Sequence, residues 1–191
     1  LSRSVLEENP GAAIIGEVKC SQTLYDDIAK HGGRPILWKT GHSLIKSKMK
    51  QERALLAGEM SGHIFFADRF YGYDDAVYAA LRLLEILAKA KKPLHELLAD
   101  LPVTHSTPEI RVDCPDEKKF GVVDRVLERF RKTHEVVDVD GARINFHDGW
   151  GLVRASNTQP VLVMRFEAGS VGRLEEIRAD VERVVREVTA A

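Results

Sequence analysis

The feature that most constrains the fold is a change of rhythm near residue 101. Before it, short apolar runs alternate with helical spacings; after it, short apolar runs follow one another across tight turns. Ala12–Ile15 (continuing towards Val18), Pro35–Trp38, Ala54–Ala57 and Ile64–Ala67 read as strands. Helical spacings over Cys20–His31 and from Thr40 to about Arg53 separate the first three. Parallel neighbours need such long crossovers, so the alternation predicts a mostly parallel sheet with helices on both faces. Ser2–Asn9 reads as the end of a helix, broken by Asn9-Pro10-Gly11. A strong helix is expected after Asp74 as N-cap, with Asp75 at its positive end. Val77, Ala80, Leu81, Leu84 and Leu87 give it a continuous apolar stripe, the face a helix normally buries. Pro93 ends it, and Leu94–Ala99 reads as a short helix.

Beyond Pro108 the pattern differs. Glu109–Asp113 reads as a strand, and Pro115 at a first helical position opens a helix through Phe120, Val123, Leu127 and Phe130. Four strands follow, Val136–Val139, Arg143–Phe146, Trp150–Val153 and Val161–Phe166, with hairpin turns at Asp140-Gly141 and Asp148-Gly149. A last helix uses Val171, Leu174, Ile177, Val181, Val184 and Val188. The expected architecture is therefore α/β in two parts. A three-layer α/β/α domain over residues 1–100 precedes a linker over 101–107. An α+β domain, an antiparallel sheet backed by helices, covers 108–191.

The totals exclude some functions. A net charge of −1 offers no global electrostatic case for nucleic acid or a membrane surface. No apolar run approaches the roughly 20 residues that span a bilayer. Lys46, Lys48, Lys50 and Arg53 form a basic run that reads as the solvated face of a helix. Cys20 and Cys114 are far apart and lack metal-type spacing, so they read as buried thiols in a reducing cytoplasm. The start at Leu1 suggests a processed, trimmed or partial polypeptide.

Three stretches carry chemistry. Gly58-Glu59-Met60-Ser61-Gly62-His63 lies between two strands. It is either a turn with incidental polar residues or a ligand site. Glu59 could accept two hydroxyl hydrogen bonds, as from vicinal sugar hydroxyls; Ser61 could add a third contact, and His63 could bind an anion or move a proton. Arg154-Ala155-Ser156-Asn157-Thr158-Gln159-Pro160 joins two strands. It is either an ordinary turn or an anion cradle of guanidinium, hydroxyls, amide and backbone N–H groups. Lys39-Thr40-Gly41-His42-Ser43 stands at a strand-to-helix junction, either a capped helix entry or an anion site. If the strands run parallel, Lys19, His42 and the Glu59 turn share the carboxyl edge of the sheet, where ligands bind in open α/β folds. His42, Glu59 and His63 are zinc-ligand types, but their spacing matches no strong zinc pattern, and no metal site is expected.

Val18-Lys19-Cys20-Ser21, Trp38–Lys46, Gly58–His63 and Arg154–Thr158 together resemble the α-D-phosphohexomutases, in particular the bacterial phosphomannomutase/phosphoglucomutase family. The resemblance covers nearly the whole chain, with the third and fourth of that family's four domains. It implies that Glu59 and Ser61 contact the sugar, and that Arg154, Ser156, Asn157 and Thr158 bind the phosphate. Lys19, His42 and His63 match active-site positions with binding or proton-transfer roles. It also implies hexose phosphates as ligands, a glucose or mannose 1,6-bisphosphate intermediate, and a magnesium ion and a phosphoserine held by N-terminal domains. Neither of those two loops is found in these residues; Asp138-Val139-Asp140-Gly141 is a poor substitute for the magnesium loop. Local departures are Glu17, where an aspartate is usual, and Gln159, where threonine is common. The alternative is a stand-alone, non-catalytic phosphosugar-binding module.

Overall fold

The computed structural model describes residues 1–190, and these divide after Pro102 into two units. In the first, α1 (Ser2–Glu8) leads into β1 (Ala13–Glu17), α2 (Gln22–Lys30), β2 (Arg34–Trp38), α3 (His42–Glu52) and β3 (Leu56–Gly58). Then come β4 (Ile64–Phe66), β5 (Tyr73–Asp74) and α4 (Ala76–Ala90). The strands form one sheet in the order β2-β1-β3-β4-β5. Helical crossovers make β1 parallel to both β2 and β3, as the alternation predicts. The turn after β3 is too short for a crossover, so β4 and then β5 add antiparallel and the sheet is mixed.

Alternation along β1 sends its buried side chains to two cores. Ile14 joins Val5 and Leu6 of α1, Ile28 of α2, Phe66 and Ala79 of α4. Ala13 and Ile15 join Ile45 and Met49 of α3, Ala57 and Phe65. The result is the expected three layers. Arg3 ties this unit across long sequence distances. Its guanidinium donates to both oxygens of Asp27, at 2.8 and 2.6 Å, and to both oxygens of Asp100, at 2.9 Å each.

Helix α4 departs from expectation in two ways. Its N-cap is Asp75, which accepts from the Tyr78 backbone N–H at 2.8 Å, while Asp74 belongs to β5. Its stripe of Val77, Leu81 and Leu84 is exposed, at 72%, 58% and 59%. The buried residues are Ala79 and Arg82. The helix carries apolar residues nearly all round, so periodicity alone does not choose a face. The Arg82 guanidinium chooses it, pairing with buried Asp68 at 2.7 Å and lying 4.7 Å from the Phe66 ring centre.

The second unit contains β6 (His105–Ser106), β7 (Ile110–Asp113), α5 (Asp116–Phe130), β8 (Val136–Val137) and β9 (Ala142–Asn145). It continues with β10 (Gly149–Ala155), β11 (Val161–Ala168) and α6 (Val171–Ala190). Its sheet runs β6-β11-β10-β9-β8, with β7 also on β11, and its pairs are antiparallel. Helices α5 and α6 cover one face through Val122, Val126, Phe130, Ile177, Val181 and Val184. Pro115 is the N-cap of α5 and not its first residue. Thr107 stitches the start of the unit to β11. Its N–H donates to the Phe166 carbonyl at 3.0 Å, and its hydroxyl accepts from the Phe166 N–H at 3.2 Å. No described helix is long and apolar enough to cross a membrane.

Two measurements check this account. Leu81→Gln and Leu84→Gln are each expected to change stability by no more than about 0.5 kcal/mol, as surface substitutions do. Phe65→Ala, at a fully buried position, is expected to cost about 3–5 kcal/mol. Urea unfolding followed by circular dichroism separates the cases, and large losses at Leu81 and Leu84 would place the stripe in the core. The second concerns acid. Arg3 holds the Asp27 carboxyl below its ordinary value, mainly by hydrogen bonding. A lowered carboxylate stabilises fully above its unfolded value of about 4, and the contribution fades as pH falls through the lower folded value. Melting temperatures between pH 7 and pH 2 should fall more steeply in the wild type than in Arg3→Met. Parallel curves would remove the pair from the acid response.

Candidate functional site

Strands β2, β1 and β3 end at one edge, since Gly16 pairs with Leu37 on one side and Gly58 on the other. One residue past Gly16, the Glu17 carboxylate is fully buried. Its Oε2 accepts from the Lys19 N–H at 3.0 Å and the Thr40 hydroxyl at 2.8 Å; its Oε1 accepts from the Met60 N–H at 3.1 Å. One carboxylate thus holds the three loops that leave the parallel strands. Lys19 is buried beside it, its Nζ 4.0 Å from Oε1.

The Glu59–His63 turn is closed by its own backbone. Glu59 N–H donates to the His63 carbonyl at 2.9 Å, and Gly62 N–H to the Glu59 carbonyl at 3.0 Å. Gly62 adopts φ 93°, a conformation that favours glycine. The buried Glu59 carboxylate accepts from the Gly41 N–H at 2.8 Å, at the entry to α3, while Ser61 stands exposed at the tip. His42 and His63 meet at 4.3 Å between ring centres, and His42 packs edge-on to Phe65 at 5.3 Å. Strand β5 sets Asp74 opposite Phe65. From there its carboxylate reaches both rings, Oδ2 at 3.0 Å from His63 Nδ1 and Oδ1 at 3.3 Å from His42 Nδ1.

The five residues expected from the first part therefore lie at this one edge or on the turn beside it. The arrangement offers a buried acceptor in Glu59, a hydroxyl, an ammonium and two imidazoles that share a carboxylate. Sequence reasoning missed Glu17 and Asp74 as parts of it. A carboxylate at the end of an otherwise apolar strand was the available sign for Glu17. Asp74 was hidden because it also fits a helix cap.

In the second unit, Arg154 is the penultimate residue of β10 and is buried. Its Nε and Nη2 donate to Asp140 at 3.1 and 3.3 Å. The Asp140 turn lies against the Arg154 backbone through Gly141, at φ 88°, where a Cβ would fall 2.5 Å from the Val153 carbonyl oxygen and 2.6 Å from Arg154 Cβ. Ser156 is buried, and its hydroxyl accepts from the backbone N–H groups of Thr158 at 3.3 Å and Gln159 at 3.2 Å. Asn157 and Thr158 are exposed. Arg154, Ser156, Asn157 and Thr158 thus share one strand end, with the guanidinium oriented by Asp140, a residue that sequence reasoning did not place here.

Glu17→Gln tests the hub. An amide keeps one acceptor oxygen and presents a donor to groups that themselves donate. The expected loss is about 1–3 kcal/mol, the range for a buried group left unsatisfied. Amide chemical shifts should move at Lys19, Thr40 and Met60 together; changes confined to β1 at unaltered stability would contradict the hub.

The family profile described as phosphoglucomutase/phosphomannomutase, alpha/beta/alpha domain III, matches residues 1–105, and the C-terminal domain profile matches residues 109–184. A phosphomannomutase/phosphoglucomutase of Pseudomonas putida is 54% identical over 93% of this chain, which spans 38% of that protein. A phosphoglucomutase of Neisseria meningitidis is 46% identical over 96% of the chain and 40% of its own length. The crystal structure of a phosphoglucomutase/phosphomannomutase family protein from Burkholderia thailandensis superposes with a TM-score of 0.89 at 45% identity, covering 98% of this chain and 40% of that one. A chain that matches both domain profiles nearly end to end belongs to the phosphoglucomutase/phosphomannomutase family.

Proposed function

We propose that this chain is the sugar- and phosphate-recognising part of a phosphomannomutase/phosphoglucomutase. Such an isomerase interconverts hexose 1-phosphate and hexose 6-phosphate through a phosphoserine and a bisphosphorylated sugar. The observation that supports this most is the buried Glu59 carboxylate at the carboxyl edge of parallel strands, in a chain of this family. Glu59 and Ser61 would take the sugar hydroxyls. Arg154 would take the phosphate with Ser156, Asn157 and Thr158; Asp140 engages two of the five guanidinium N–H donors. Lys19, His42 and His63 would bind or move protons. These contacts position the sugar and do not break bonds, and positioning is a large share of phosphoryl-transfer catalysis.

The chain spans about two fifths of the relatives it matches, so its partners in turnover would be the N-terminal domains that carry the phosphoserine. Magnesium would act there. The Asp138–Asp140 hairpin does not fit that ion, because Asp138 pairs with Arg131 and Asp140 with Arg154. The two buried free cysteines support a reducing compartment, the cytoplasm.

Glucose 1-phosphate titration followed by chemical shifts tests the division of roles. Glu59→Gln is expected to weaken binding of that ligand by roughly 5- to 150-fold, from a loss of about 1–3 kcal/mol, and to leave inorganic phosphate binding unchanged. Equal losses for both ligands would contradict it. Arg154→Lys should recover little more binding than Arg154→Ala, because lysine lacks the planar fork. Wild-type affinity in the lysine variant would remove the phosphate-cradle assignment. The chain alone should show no mutase turnover with magnesium and bisphosphate, and measurable turnover would overturn the partial-enzyme reading.

A further inference from the structure

The sequence spacing of His42, Glu59 and His63 matches no metal pattern, yet the fold brings the three together. Each offers one ligand atom, and these atoms lie within 4.8 Å of one another. They come from the first residue of α3, the residue after β3 and the far side of the following turn, which is why linear spacing conceals them.

A second, independent feature points to a cation. Asp74 sends one carboxylate oxygen to Nδ1 of each imidazole, at 3.0 and 3.3 Å. A neutral imidazole that donates its Nδ1–H to a carboxylate presents the Nε2 lone pair, and metal-binding histidines are commonly oriented in this way. Here the Asp74 carboxylate hydrogen-bonds the His63 ring and lies within ion-pair distance of His42. Glu59 is likewise oriented, since its Oε1 accepts from the Gly41 N–H at 2.8 Å. The side chains of His42 and His63 are 42% and 46% exposed, which leaves the open side of the triangle accessible to water.

We propose that His42, Glu59 and His63, oriented by Asp74, form a binding site for a divalent transition ion of the zinc class. Two nitrogens and one oxygen suit Zn2+, Co2+ or Ni2+, whereas Mg2+ demands an oxygen shell. Tetrahedral bonds of 2.0–2.2 Å set ligand atoms about 3.3 Å apart. The triangle must therefore contract, and the half-exposed His63 ring on its turn is the member that can move inward. Three protein ligands with an open position leave water as the fourth. The ion would occupy Glu59, the acceptor assigned above to sugar hydroxyls. The site itself is a property of the sugar-free chain and does not rest on that assignment.

Zinc chloride alone is the probe, titrated calorimetrically into the full chain, with Co2+ as a spectroscopic reporter. One saturable equivalent is expected, with tetrahedral ligand-field absorption for Co2+. His42→Ala and His63→Ala should each weaken it at least tenfold, and Asp74→Asn roughly tenfold, as loss of an orienting partner does. His147→Ala, in the second unit, should leave it unchanged. In the wild type, Co2+ should broaden amide signals around Gly41 and His63, a readout that needs no variant to fold. The absence of a saturable equivalent, equal affinity in folded His42→Ala and His63→Ala, or broadening centred elsewhere would overturn the site.

Discussion

The candidate site of the first unit depends on one buried carboxylate. Glu17 lies at the end of the central strand, where three parallel strands release three loops that have no backbone ladder to hold them together. A carboxylate there accepts from several donors at once, and Lys19, Thr40 and Met60 supply them. An ion removed from water costs several kcal/mol unless its lone pairs are met. The three loops must therefore stay in place together to satisfy it. The same interaction that makes Glu17 tolerable in the core makes the loop arrangement cooperative.

The second unit solves an equivalent problem differently. Arg154 is buried at a strand end, and its orientation comes from Asp140 on the neighbouring hairpin. Gly141 permits the close approach, because a side chain at that φ would collide with the strand it packs on. A rigid fork is useful only if its plane is fixed. Two bonds to one carboxylate fix that plane, and the proposed phosphate role would use the remaining guanidinium donors.

Much of this was legible in the sequence. The change of rhythm marks two kinds of sheet because helical crossovers and tight turns have different consequences for strand direction. The Gly58–His63 and Arg154–Thr158 stretches stand out in the sequence through their order and spacing, which resemble the family's motifs; as residue types, Gly, Ser and Asn fit ordinary turns equally well. What remained hidden has physical reasons. Helix α4 is apolar on most sides, so a buried ion pair, Arg82 with Asp68, outweighs periodicity in choosing its inner face. Asp74 and Asp75 are both competent caps; the cap falls to Asp75 because pairing with β4 draws Asp74 into the sheet. Tertiary partners more than forty residues apart, as Glu17 and Met60 are, leave no trace in a local pattern.

Mobility across the site follows from the same contacts. Glu17, Lys19 and Glu59 are buried and held by the loops around them, whereas Ser61 and His63 stand in solvent on a turn closed by two backbone hydrogen bonds. His63 is restrained mainly from outside its turn, by Asp74 and by the edge of His42. A ligand therefore meets a base whose geometry is set in advance and a rim that adjusts. Ordering entropy is then incurred chiefly at the rim, where few side chains must be fixed. Under the proposed sugar-binding role, the fixed Glu59 carboxylate would define where hydroxyls go, and the adjustable rim would accommodate which ones arrive.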